Sequence, residues 1–193
     1  MKKLFFIFFF LIIFLEFSFS FEFTMGMSLK DITELCNKKP EFIEEDRYYI
    51  FPEKSHPFFI TYIAFVDSNY GLYGIRAISE YIESDNFGTE IKKAFAEILN
   101  EESEKLGTPF IIDKLPSDSF FINENEWFHT LASYSASWKS TFQTRLKDNL
   151  SIVTLYVGAN KFTQKGCIFL EYIYTNCGKV WNANGIRPSV FGR

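Results

Sequence analysis

Phe58-Phe59-Ile60-Thr61-Tyr62-Ile63-Ala64-Phe65-Val66 is followed by Asp67-Ser68-Asn69-Tyr70-Gly71, and then by Leu72-Tyr73-Gly74-Ile75-Arg76-Ala77-Ile78-Ser79-Glu80-Tyr81-Ile82. Both outer runs are rich in β-branched and aromatic residues, which suit a pleated, half-buried surface. The five residues between them are turn formers, and two such runs across a turn predict a β-hairpin. An antiparallel sheet is therefore the starting point for this fold.

Upstream, Arg47–Pro52 reads as a further strand. Ser28 with Asp31 three residues later is a capping-box-like start, Leu29, Ile32 and Leu35 recur at helical spacing, and Pro40 closes the element. This predicts a short helix over 29–37. Downstream, Ile91, Ala94, Phe95, Ile98, Leu99 and Leu106 mark one face of a helix over 89–106. Glu90 lies in its first turn, Lys105 in its last, and Gly107 and Pro109 follow as stop signals. A short strand is expected near Phe110–Asp113. A second helix is expected over 124–137, with Asn123 as N-cap, Glu126 as the returning carboxylate, and Trp127, Phe128, Leu131, Tyr134 and Trp138 on one face. Two strands, Ser151–Ala159 and Cys167–Thr175, close the domain. In the last of these, Ile168, Leu170, Tyr172 and Tyr174 are expected to face the helices, and Phe169, Glu171 and Ile173 the other side. The expected sum is an α+β domain: an antiparallel sheet of about five strands with about three helices packed on one face. It would span residues 21–177, ahead of a loosely ordered tail, 178–193. No internal repeat is visible.

The first twenty residues stand apart. Lys2 and Lys3 precede twelve uninterrupted apolar residues, Leu4–Leu15, and Ser18-Phe19-Ser20 offers a small-x-small exit. This is the pattern of a secretory signal peptide. The run is short of the roughly 20 residues needed to cross a bilayer, and the expected mature start is near Phe21. The alternative is an uncleaved anchor, since Phe17, Phe19, Phe21 and Phe23 keep the segment apolar past Glu16. The chain is thus expected to be exported, periplasmic or extracellular, touching membrane only through this segment if it is retained. Without residues 1–20 the balance is 18 basic against 23 acidic residues, or −5, and 17 of the 25 Phe remain. A modest, dispersed acidic excess argues against nucleic acid as a partner. The aromatics read as core, with a sugar-stacking surface as the sharper alternative.

Cys36, Cys167 and Cys177 lie in a chain expected in a compartment where disulfides persist. Cys167 and Cys177 flank one strand, which would hold them roughly 33 Å apart, far beyond disulfide reach. An intramolecular bridge would therefore use Cys36, with Cys177 ahead of Cys167. Three free thiols is the competing reading.

No motif in the chain carries a recognisable chemistry. His56 and His129 are far apart, with no HxH or HExxH spacing, so no metal and no cofactor are expected. There is no GxSxG elbow and no phosphate-cradling glycine loop, and no cysteine carries a nucleophile signature. Glu44-Glu45-Asp46 and Glu101-Glu102 are expected on solvated faces. Glu171 is the acid that stands out, inside an otherwise apolar strand, and an outward-facing position on a half-wet sheet is the expectation for it. No catalytic residue is assigned. Phe169, Glu171 and Ile173, on the sheet face away from the helices, are the candidate partner surface.

Two stretches carry a resemblance. Gly26-Met27-Ser28-Leu29-Lys30-Asp31-Ile32, with Lys39-Pro40 after it, resembles the opening of small bacterial envelope domains. The outer-membrane assembly lipoproteins and the β-lactamase-inhibitor-like modules are examples, although this chain lacks the lipoproteins' anchoring cysteine. The order Tyr70-Gly71-Leu72, Phe87-Gly88-Thr89-Glu90, Trp127, Trp138 and Leu170-Glu171-Tyr172 is similar to a group of exported bacterial proteins of unknown function. These likenesses imply one domain and an envelope location, and carry no activity. The functional expectation is a non-enzymatic domain of the cell envelope that binds a protein partner. A hydrolase without a recognisable motif, working around Glu171 or Cys167, and an inhibitor or immunity-type protein are the alternatives.

Overall fold

A computed structural model describes residues 22–114, 127–132, 137–143, 146–160, 163 and 165–184. Along the chain come helix α1 (Leu29–Glu34), strands β1 (Glu41–Glu44), β2 (Arg47–Ile50), β3 (Phe59–Asp67), β4 (Gly71–Ser79) and β5 (Ile82–Glu83), and helix α2 (Thr89–Leu106). Then follow β6 (Phe110–Lys114), helix α3 (Trp127–Ala132), β7 (Ser137–Phe142), β8 (Leu150–Asn160), β9 (Lys165–Tyr174) and helix α4 (Cys177–Ala183).

The fold is α+β, with one antiparallel sheet, but the sheet is larger than expected: nine strands among the described residues, in the order β1-β2-β3-β4-β9-β8-β7-β6, with β5 pairing β9. It consists of two four-stranded meanders, each preceded by a helix and each ending on its inner strand. They meet along one seam, β4 against β9. The expected β3–β4 hairpin is present, closed by Asp67 Oδ1 accepting from the backbone N–H groups of Asn69 and Tyr70.

Three departures have physical causes. β1 escaped the sequence reading because four residues with Glu at both ends carry too little apolar signal; Glu45, at φ 49°, turns it back onto β2. β7 replaces the end of the expected helix 124–137. Helix α3 is described over Trp127–Ala132, residues 133–136 lie outside the described residues, and Ser137–Phe142 pairs with both β6 and β8. Asn123 and Glu126 lie outside the described residues. The tail expected from 178 begins instead as α4, whose Val180 is fully buried.

The sheet buries both faces. On the first, α2 contributes Ile91, Phe95 and Ile98, and α3 contributes Trp127, Phe128 and Leu131. Both pack over Ile75, Ala77, Leu155, Ile168, Leu170 and Tyr172. On the second, α4 sets Cys177 and Val180 against Phe65, Tyr73 and Ile173. The expectation of helices on one face alone is thereby corrected. The expected alternation along the last strand is present: Ile168, Leu170, Tyr172 and Tyr174 join the α2 side, and Ile173 the other. Gly88, with φ +74°, opens α2, and a Cβ there would lie 2.3 Å from the Trp127 ring. Among the described residues no helix is long and apolar enough to cross a membrane.

Candidate functional site

Glu171 is not on a wet face. It is 3% exposed, and Arg76, its register partner across the seam, donates to its Oε1 from Nε at 3.0 Å and Nη2 at 2.7 Å. Burial works against the Arg76 charge, but the Glu171 carboxylate more than offsets it and holds the guanidinium above its ordinary range. The guanidinium also lies 5.4 Å from the centre of the Phe65 ring. Next along β9, Phe169 stacks on Tyr156, with ring centres 4.8 Å apart and planes 7° from parallel. Burial, reinforced by the Glu171 charge, pushes the Tyr156 hydroxyl up to about 12.

The expected partner surface is therefore contiguous but largely committed. Ile173 is 2% exposed under α4 and Glu171 is held by Arg76; Phe169 alone stays half-buried. Cys167, named with Glu171 in the hydrolase alternative, is half-buried, and burial raises its thiol to about 11. At neutral pH such a sulfur carries almost no thiolate. All three cysteines are free. Cys36 packs against the α2-side core and Cys177 sits in the cluster on the opposite face, so the sheet itself separates the expected bridge.

A second polar cluster lies at the far end of α2. Glu102 was expected to be solvated, yet it is 3% exposed. It accepts from the Tyr172 hydroxyl at 2.7 Å and from Lys105 at 2.8 Å. Its place was readable: 91, 95, 98 and 102 form one helical stripe. Beside it, His56 Nδ1 accepts from the Phe58 N–H at 3.2 Å, which leaves Nε2 facing Glu101 at 2.9 Å. Tyr62 accepts from the His56 N–H at 2.8 Å. These bonds fasten the 53–58 loop and α2 to the sheet, with the polar atoms of each group used in holding another. The side chain of His129 is outside the described residues. Among the described residues no cluster of three or more metal-ligating side chains exists.

An open cavity of ≈ 890 Å³ sits at the turn end of the first meander, lined in part by Glu45, Asp46, Asp67, Asn69, Tyr70 and Asn184. Two of its three acids are occupied. Asp46 accepts from the Tyr73 hydroxyl, and Asp67 binds its own turn.

What remains uncommitted is an edge. β6 ends the sheet among the described residues, and two successive side chains on it, Phe110 and Ile111, are 71% and 53% exposed. Successive residues point to opposite faces, so each side of this edge carries one exposed apolar side chain. The other edge differs. β1 is short, bulged between Phe42 and Glu44, and carries Glu41 paired with Lys38 and Glu44 paired with Arg47. Those are the usual guards of a sheet edge, and β6 shows none of them at Phe110 and Ile111.

Compared with protein-family models, curated proteins and solved structures, the chain matches none.

Proposed function

We propose that this is an exported, non-enzymatic domain of the bacterial cell envelope that binds a protein partner, and that it does so by taking an extended segment of the partner as a new strand alongside β6. The observation that carries the reading is the exposure of Phe110 and Ile111 on the strand that ends the sheet among the described residues. Strand addition supplies main-chain hydrogen bonds, and side chains on both faces supply selectivity. Glu171 is bound to Arg76, Glu102 to Tyr172 and Lys105, and Asp46 to Tyr73. An inhibitor or immunity-type role would use the same kind of contact.

The test places a photoreactive residue at position 110 in cells, with position 42 on the guarded edge as the comparison. The expected result is one discrete protein adduct from 110, none from 42, and loss of the adduct in Ile111→Lys. Because residue 111 is exposed, that change should leave stability within about 0.5 kcal/mol. An adduct equally strong from position 42, or one untouched by Ile111→Lys, sinks the reading.

A further inference from the structure

We propose that His56 is a pH-sensitive latch: its neutral ring holds the turn that leads into β3 against α2, and its protonated ring keeps Glu101 but releases the Phe58 N–H, so that this corner of the domain loosens in acid.

Pro57 has no N–H to give, so Phe58 carries the first backbone donor after the histidine. That donor meets His56 Nδ1 at 3.2 Å, while Nε2 lies 2.9 Å from Glu101 Oε2 on α2. A backbone N–H only donates, so Nδ1 presents a lone pair, and the ring's one proton sits on Nε2, facing the carboxylate. The turn itself is held separately. The Phe59 N–H donates to the His56 carbonyl at 3.1 Å. The Tyr62 hydroxyl accepts from the His56 N–H at 2.8 Å and donates to the same carbonyl at 3.3 Å. The His56 side chain is 12% exposed, with its ring centre 5.4 Å from that of Phe59.

A second proton has one place to go, Nδ1. It then points at the Phe58 N–H, two donors face each other, and that bond is lost. The opposite side of the ring gains, because the new charge strengthens the contact of Nε2 with the carboxylate. The imidazolium therefore stays with α2, and the Phe58 amide turns away. Phe58 is half-buried on the main core and edge-on to Phe59, ring centres 5.2 Å apart. Its movement loosens an aromatic at the rim of the core as well as an amide.

The groups around the ring leave this charge change to His56. Burial pushes Tyr62 on β3 up to about 12 and Tyr172 on β9 well above its ordinary value, so both stay neutral. On α2, Glu102 is bound to Lys105 and Tyr172, and Glu97 and Lys105 lie one turn to either side of Glu101. In the loop itself Glu53 and Lys54 are exposed, and Lys54 is paired with Glu22. Imidazole is the side chain whose charge changes between pH about 5 and 8.

The experiment is amide hydrogen exchange on the full 193-residue chain at those two pH values, with the chemical exchange rate at each pH divided out. The expected result is a roughly fivefold loss of protection over 56–60 in acid, the scale of one lost hydrogen bond, with α2 no less protected. His56→Asn should hold the turn at both pH values, since its amide oxygen accepts the same N–H and does not titrate. In the native chain, the ring nitrogen shifts of His56, assigned with His129→Gln, should share their midpoint with the loss of protection. The latch is overturned by full protection in acid, by a loss shared with α2, by a loss that persists in His56→Asn, or by a midpoint that differs from that of the ring.

Discussion

Replacing Arg76 by methionine should cost far more than replacing Glu171, although the two groups form one pair. The carboxylate side chain is 3% exposed and the guanidinium side chain 30%. Arg76→Met strands a negative charge in a place water does not reach. Breaking a buried pair from one side costs 3–5 kcal/mol, and the exposed third of Arg76 shows that some solvent is near, so a loss of about 3 kcal/mol is expected. Glu171→Met leaves a guanidinium that can swing toward water and keep its place by the Phe65 ring. Its cost should be about 1.5 kcal/mol, the low end of the scale for lost hydrogen bonds to a charged group. The double replacement removes both charges and fills the space, and should return to within about 1 kcal/mol of the native chain. Urea unfolding followed by tryptophan fluorescence gives the three values, provided the slope with urea is constant. If the two single losses simply add in the double variant, the pair is not coupled. If Arg76→Met costs less than about 1 kcal/mol, Glu171 is not desolvated, and the account of the seam fails.

Gly88→Ala must hold an L-residue at φ +74° and push the Trp127 ring from 2.3 Å. Strain alone is about 1–2 kcal/mol, so lower urea resistance and a shifted tryptophan emission are expected together; unchanged emission would place the ring elsewhere. Alkali should unfold the protein through its buried tyrosines. Burial raises Tyr62 and Tyr156 to about 12 from 10.0, and Tyr172 and Tyr174 higher still. A folded value above the unfolded one means the stabilisation is complete below pH about 10 and is lost as pH rises toward 12. Beyond the contribution of the exposed Tyr49, Tyr70 and Tyr81, the remaining rise in tyrosinate absorbance should keep step with loss of circular dichroism, and complete ionisation before unfolding would contradict the burial.

Elements that announce themselves locally were legible. Helix α2 appears over its expected span because apolar spacing, first-turn acid and the Gly107 stop all agree, and the Ser28–Asp31 capping box is formed as the sequence suggests. Polar residues in buried places were harder. Glu102 sits on the stripe of Ile91, Phe95 and Ile98, and its spacing could have found it. Glu171 could not be placed that way, since its partner is 95 residues distant and is chosen by sheet register. β7 was hidden because Ser137, Lys139 and Ser140 dilute its apolar pattern, while Trp138 also fits the repeat of the preceding helix. The open edge is legible least of all. Nothing in Phe110-Ile111 says which strand is last, because that follows from how two meanders join.

The hydrogen bond from Tyr174 to Phe23 links residues 151 positions apart, and Tyr174 ends the strand on which the two meanders meet. A chain leaving the ribosome N-terminus first delivers Phe23 long before the hydroxyl that bonds its carbonyl. At roughly 5–20 residues per second, Tyr174 follows Phe23 by on the order of 8–30 s. The first meander can form its hairpins in microseconds, and with them the bonds of Gly26 and Met27 to Leu72. Placing an inner strand of the sheet late in the sequence therefore lets the first meander assemble early but leaves its seam edge unpaired until β9 is made.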